Sequence, residues 1–273
     1  MTYYNILYSG NDSRKRIRDY EWEERMGQYL TIFRLFAILV VSVALAWAEP
    51  YDQSKDQSAE IAQDLDKDTY LNINNLLCFI YNDGNFAYDN ANVLGKTDGL
   101  YYPRGTDKTV IYSAGLWVGA MVDGGLRVTV AEYGGEYAPG NMEGGQYVPD
   151  GPEYKVYKIN RGDNAQTNPD YANWPSDQGA PVDGNGDPLI YGDQMCWSVF
   201  NDANPSAMVI DAGDSEPLGL EIQQTAFAYE RQGALGQVIY LRYLIINEGE
   251  NHLNDTYVSL WADPDLRDAG DDL

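Results

Sequence analysis

From Leu71 onward the chain is built of short runs in which apolar and polar residues alternate, broken by Gly, Asn and Asp. A period of two places successive side chains on opposite faces of a strand. Residues 110–122, the turn Asp123-Gly124-Gly125 and residues 126–131 predict a hairpin. Leu116, Val118, Ala120 and Val122 fall on one face of it, and Leu126, Val128 and Val130 are expected to continue that face. Residues 218–229, 238–247 and 256–262 predict three longer strands in an antiparallel meander, with the last lying inside the sheet. Trp117, Leu116, Val118, Leu220, Ile222, Leu241, Tyr243 and Ile245 are the expected core. No amphipathic run of three helical turns follows residue 48, which disfavours α/β folds. The pattern predicts an all-β fold, an antiparallel β-sandwich with long Gly/Pro/Asp-rich loops.

Two stretches break this texture. Residues 49–70 are acidic and polar without periodicity, and read as a linker. Between 140 and 193 lies a Gly/Pro/Asp/Asn-rich region with one strand-like run at 154–159; long irregular segments of this kind are usually functional or ion-stabilised loops.

The N-terminus is different again. Residues 35–48, LFAILVVSVALAWA, hold a single polar residue, Ser42, and follow Arg34. Ala46-Trp47-Ala48 has the small-x-small form that a signal peptidase cuts, and Glu49-Pro50 follows it. The run is short for a membrane span and right for a secretory h-region. A buried core helix, or a signal-anchor held by Arg14, Lys15, Arg16 and Arg18, are the alternatives. Met26 starts a conventional leader, so residues 1–25 read as upstream over-extension of the frame, 26–48 as the signal peptide and 71–273 as the sandwich domain.

Charge then narrows the function. Lys and Arg number 18 against 42 Asp and Glu, a net −24. Removing residues 1–48 leaves 12 against 37, or −25, so the acidity belongs to the exported part. Such a field repels phosphate backbones and excludes nucleic-acid partners. The single histidine, His252, leaves little room for a serine triad or for His-ligated metals. No Walker loop, HExxH, CxxC or dinucleotide fingerprint is present. Cys78 and Cys196 are compatible with one disulfide or with two buried thiols.

The candidate chemistry is acidic. Asp183, Asn185 and Asp187 alternate as calcium-loop ligands do, although Pro188 and Gln194 depart from an EF-hand; a plain polar turn is the alternative. Asp263, Asp265, Asp268, Asp271 and Asp272 crowd the end of the chain, as a calcium site or as a solvated loop, and the chain is expected to break off inside that loop. Tyr147, Tyr171 and Trp174 stand in the polar region, where rings stack on sugar faces or pin a loop to the sheet. Arg161-Gly162-Asp163 is too short a match to integrin ligands to carry weight.

Several segments resemble a family of large, uncharacterised exported β-rich proteins of Bacteroidetes-type bacteria. They are Gly99-Leu100-Tyr101-Tyr102-Pro103, Ser113-Ala114-Gly115-Leu116-Trp117-Val118-Gly119, Asn173-Trp174-Pro175, Gly192-Asp193-Gln194-Met195, Trp197-Ser198-Val199-Phe200-Asn201-Asp202 and Trp261-Ala262-Asp263-Pro264-Asp265. Such proteins often carry a type IX secretion sorting domain, which these 273 residues do not contain. Arg267 stands where the family pattern has Gly. The resemblance implies a secreted or surface β-rich protein and no established activity. The expectation is thus an exported, non-catalytic surface or extracellular module, calcium-stabilised, free of the membrane once the leader is removed, with a glycan or another cell-surface protein as partner. The rival is a carbohydrate-active protein, either a glycan-binding module or a carboxylate-dependent glycoside hydrolase domain.

Overall fold

The computed structural model describes residues 68–90, 92–149 and 151–266, together with the backbone of two short strands nearer the N-terminus. The fold is all-β: two large sheets, antiparallel but for one pair at an edge, pack face to face, and a two-stranded hairpin forms a small third sheet. In chain order the strands are β1 (Ile6–Ser9), β2 (Phe36–Val40), β3 (Asp68–Leu71), β4 (Leu77–Tyr81), β5 (Asn85–Phe86), β6 (Leu100–Tyr101) and β7 (Thr109–Ile111). They continue with β8 (Ser113–Val122), β9 (Gly125–Thr129), β10 (Ala138–Pro139), β11 (Met142–Glu143), β12 (Gln146–Tyr147) and β13 (Tyr157–Asn160). The last four are β14 (Gln194–Asn201), β15 (Leu220–Ala228), β16 (Val238–Asn247) and β17 (Asn254–Asp263). The only α-helix among the described residues is one turn, Pro169–Ala172.

The first sheet runs β16-β15-β14, with β10 and β13 both on β14. The outer edge of β16 carries β2 antiparallel and β1 parallel. The second runs β17-β8-β5-β4-β6-β7, with β9 on β8 and β3 on β4. Inward residues of both sheets form one core: Cys78, Ile80, Leu116, Val118 and Ala120 from one side, and Phe200, Ile222, Ala226, Leu241, Tyr243 and Ile245 from the other.

Seven of the eight expected core residues are buried; Trp117 is half-buried, because alternation along β8 turns it to the outside once Leu116 and Val118 face in. The hairpin forms at the expected place, with a two-residue turn. Asp123 and Gly124 both take positive φ, at 50° and 81°, as a turn that matches strand twist requires. That turn pairs Val122 with Gly125 and Met121 with Leu126. Leu126 and Val128 therefore point outward, contrary to the sequence expectation, and Leu126 is 65% exposed.

Two further expectations change. The strands β15 and β16 pair as neighbours, yet β17 joins the opposite sheet, so the three do not form a meander. The loop after Asn247 crosses the end of the sandwich, where Gly249 packs on Gly219 and Leu253 rests on the core. The strand β17 also lies at the sheet's edge and not within it.

Within the long region 140–193, β13 extends the first sheet beside β14, and the segments around Tyr154, Trp174 and Ala180 lie over that sheet's outer face. This cover explains β14, which is buried at every position. Cys196 and Phe200 face the core, while Trp197 and Val199 lie under Tyr154, Ala180 and Trp174. A strand covered on both faces reads as a nearly continuous apolar run, as QMCWSVFN does.

Candidate functional site

The buried acids hold loops in place. Asp202 directly follows β14, and its carboxylate accepts from the amides of Leu218 (2.8 Å), Gly219 (2.9 Å) and Leu220 (2.6 Å) and from the Thr129 hydroxyl (2.7 Å). Burial pushes its pKa up against the lowering effect of those bonds. Glu136 accepts from the amides of Val130 and Ile210, and burial raises its pKa too. Asp193 is the opposite case: the Arg161 hydrogen bond at 2.7 Å holds its carboxyl below the ordinary range. Arg161 and Asp163 of the tripeptide are thus engaged within the fold, Asp163 by the amides of Asn160 and Asn168.

The calcium candidates do not come together. Residues 183–187 close a turn on themselves: the Asp183 carboxylate accepts from the backbone amides of Asn185 (2.8 Å) and Asp187 (3.1 Å). All three side chains lie on an exposed loop. At the other end, Asp263 accepts from the Tyr133 hydroxyl at 2.8 Å, and Asp265 is buried. Asp268, Asp271 and Asp272 lie outside the described residues. No group of three metal-ligating side chains converges among the described residues.

Trp174 pins a loop. Its indole N–H donates to Pro181 O at 2.9 Å, and its ring sits 6.3 Å from Trp197 and 6.2 Å from Tyr157. Tyr171, on the single helical turn, borders the cluster of Met195 and Phe227 beside it. Tyr147 lies apart on the β11–β12 hairpin, 40% exposed. His252 is exposed on the crossover loop.

Cys78 and Cys196 face each other's sheet across the same core as free thiols, each pushed up to about 12 by burial. Near Cys196, Lys158 points inward from β13. Its ammonium lies 4.5 Å from the Tyr70 ring and 3.4 Å from Asn72 Oδ1, and burial lowers its pKa.

The surface feature that periodicity left unmarked is on the outer face of the second sheet. Tyr88, Tyr112, Tyr133 and Trp261 form a row of edge-on and tilted rings with centroids 5.6, 5.9 and 5.0 Å apart. Trp117 lies on the same face, across from Ser259, and Tyr257 lies across from Gly119. Tyr257 is 76% exposed and Tyr133 50%. Gly115 lets this face form: a Cβ there would stand 2.0 Å from Ala131 O, so only glycine admits the segment that carries Tyr133. The signal was present as Tyr257-Ser259-Trp261 at spacing two, but nothing local says which face of an edge strand meets solvent.

No family model matches the chain, and comparison with curated proteins and with solved structures finds no match. Among the described residues, no helix is long and apolar enough to cross a membrane.

Proposed function

We propose that this chain is an exported, non-catalytic surface or extracellular interaction module. The observation that carries the reading is the aromatic outer face of the second sheet, on which Tyr133 and Tyr257 are exposed and Trp117 and Trp261 half-buried, on a sandwich whose buried acids are engaged by backbone amides. Exposed aromatic faces on rigid scaffolds are typical of recognition surfaces. Export is supported by the apolar run at 35–48 with its Ala46-Trp47-Ala48 end, and by the acidity of the remainder. Expression in a diderm bacterium tests it: protein recovered outside the cytoplasm should begin at Glu49. Intact N-termini confined to the cytoplasm would refute export.

The same aromatic face favours a second reading, a glycan-binding module, since sugar rings stack on exposed Trp and Tyr. Calcium belongs to the proposal through the acidic segment that starts at Asp263. With millimolar calcium the melting temperature should rise by a few degrees, and the Asp263→Asn, Asp265→Asn double variant should gain much less. Equal melting temperatures with calcium and with a chelator would leave that segment a solvated acidic loop.

A further inference from the structure

An antiparallel sandwich has edges, and the two long ones differ here. In the full chain the outer edge of β16 is lined by β1 and β2, strands that the export reading removes with the leader, so the contrast between the two edges holds for the uncleaved chain. By contrast, β17 ends its sheet and pairs, among the described residues, on one side only, with β8. An unpaired edge presents a row of backbone donors and acceptors, and proteins usually blunt it with Lys, Pro or a bulge. The run from Asn254 to Asp263 contains no Lys, Arg or Pro. Its one irregularity lies at the start, where Asp255 takes positive φ and the register shifts before Tyr257. From Tyr257 to Asp263 the strand is in unbroken register with β8.

The two faces of that edge ask for different side chains. Inward, Val258 and Leu260 lean on the core yet stay only partly buried, because no strand among the described residues lies beyond them. Apolar residues on a neighbouring strand would cover them. Outward stand Tyr257, exposed, and Trp261, half-buried, with Asp255 and Asp263 near the two ends of the strand in a chain of net charge −24. Cations suit both the rings and the carboxylates.

We propose that the edge of β17 that no described strand pairs is a strand-capture site for an extended segment of another polypeptide that alternates apolar and basic residues. Backbone pairing supplies the ladder, the apolar residues close the rim of the core over Val258 and Leu260, and the basic ones lie beside Tyr257 and Trp261. A second copy of this chain fits poorly. Antiparallel self-pairing centred on Ser259 sets Asp255 against the partner's Asp263, and parallel pairing sets each aspartate against itself. Like charges directly across a ladder are destabilising, and each body already carries the same strong charge.

The inference deepens the interaction-module reading and rests on it. Its test is made on the purified full chain, so its failure is separate from a failure of export, which is read from cellular location. An eight-residue peptide alternating Val and Lys is titrated at low and high salt, beside one alternating Val and Glu, with amide hydrogen exchange followed along β17. Saturable binding of the Lys peptide is expected, weakening by roughly tenfold or more at high salt, with β17 amides slowed by a similar factor. Leu260→Lys should abolish binding. Tyr257→Lys, at an exposed position that does not threaten folding, should weaken it at least severalfold while the melting curve stays unchanged. The proposal is overturned if the Lys peptide leaves β17 exchange unaltered, or if the Glu peptide binds equally well. It is also overturned if protection of β17 appears with rising protein concentration alone, since a second copy is then the occupant.

Discussion

Asp202→Ala should cost about 3–5 kcal/mol of folding stability, an effect large enough to unfold a marginal domain. The carboxylate is fully buried and collects three consecutive backbone amides, Leu218 to Leu220, plus the Thr129 hydroxyl from the opposite sheet. Alanine leaves those amides buried without acceptors, at roughly 1–3 kcal/mol each before relaxation. It also removes a bond between the sheets, since Thr129 belongs to β9 and Asp202 follows β14. Urea denaturation of the two proteins measures the difference. A loss under about 1 kcal/mol would mean that water satisfies the amides and that Asp202 is no keystone.

The same substitution has a pH signature. Burial raises the native pKa of Asp202 above its ordinary value. A carboxyl with a raised native pKa binds its proton more tightly in the folded state. Its contribution is complete below the unfolded pKa of about 3.9 and is lost as pH rises through the native pKa. The stability gap between wild type and Asp202→Ala should therefore narrow from acid toward neutral pH. A gap that widens over that range would indicate that the four hydrogen bonds, and not desolvation, set the charge state.

What could be read from the chain follows the range of the interactions. The alternation along β8, β15 and β16 is local, so their faces were legible, and so was the Asp-Gly turn between β8 and β9. The face of Leu126 hung on the turn's length: one residue more would have turned it inward. The assignment of β17 to the second sheet depends on its pairing with β8, more than 130 residues earlier, and no local pattern encodes that. The same holds for the acids. Asp202 looks like any polar residue after a strand until Thr129, 73 positions away, is brought to it. Asp183 is the converse: its spacing suggested a ligand, but its nearest donors are the amides two and four residues on, which is how an Asp-containing turn closes.

Trp197→Ala is expected to be of similar weight, about 3–5 kcal/mol, with a consequence that Asp202→Ala lacks. Trp197 is buried on the face of β14 that looks away from the core, where it receives Tyr154, Ala180 and Trp174 from the overlying region. That region contains little regular structure of its own, so its order depends on side chains seated on β14, β15 and β13. Removing the indole opens a cavity between layer and sheet, and the loop, not the sandwich, has the freedom to move. Limited proteolysis under native conditions should then cut Trp197→Ala between residues 160 and 190 well before the wild type. Trp174→Ala should show the same cutting more weakly, through loss of one half-buried ring and of its bond to Pro181 O. Because the two indoles are in one cluster, their double variant should lose less stability than the sum of the single losses. Strict additivity, or unchanged cleavage in Trp197→Ala, would show that the layer is held by its own turns, and that the outer face of β14 is covered without being the anchor.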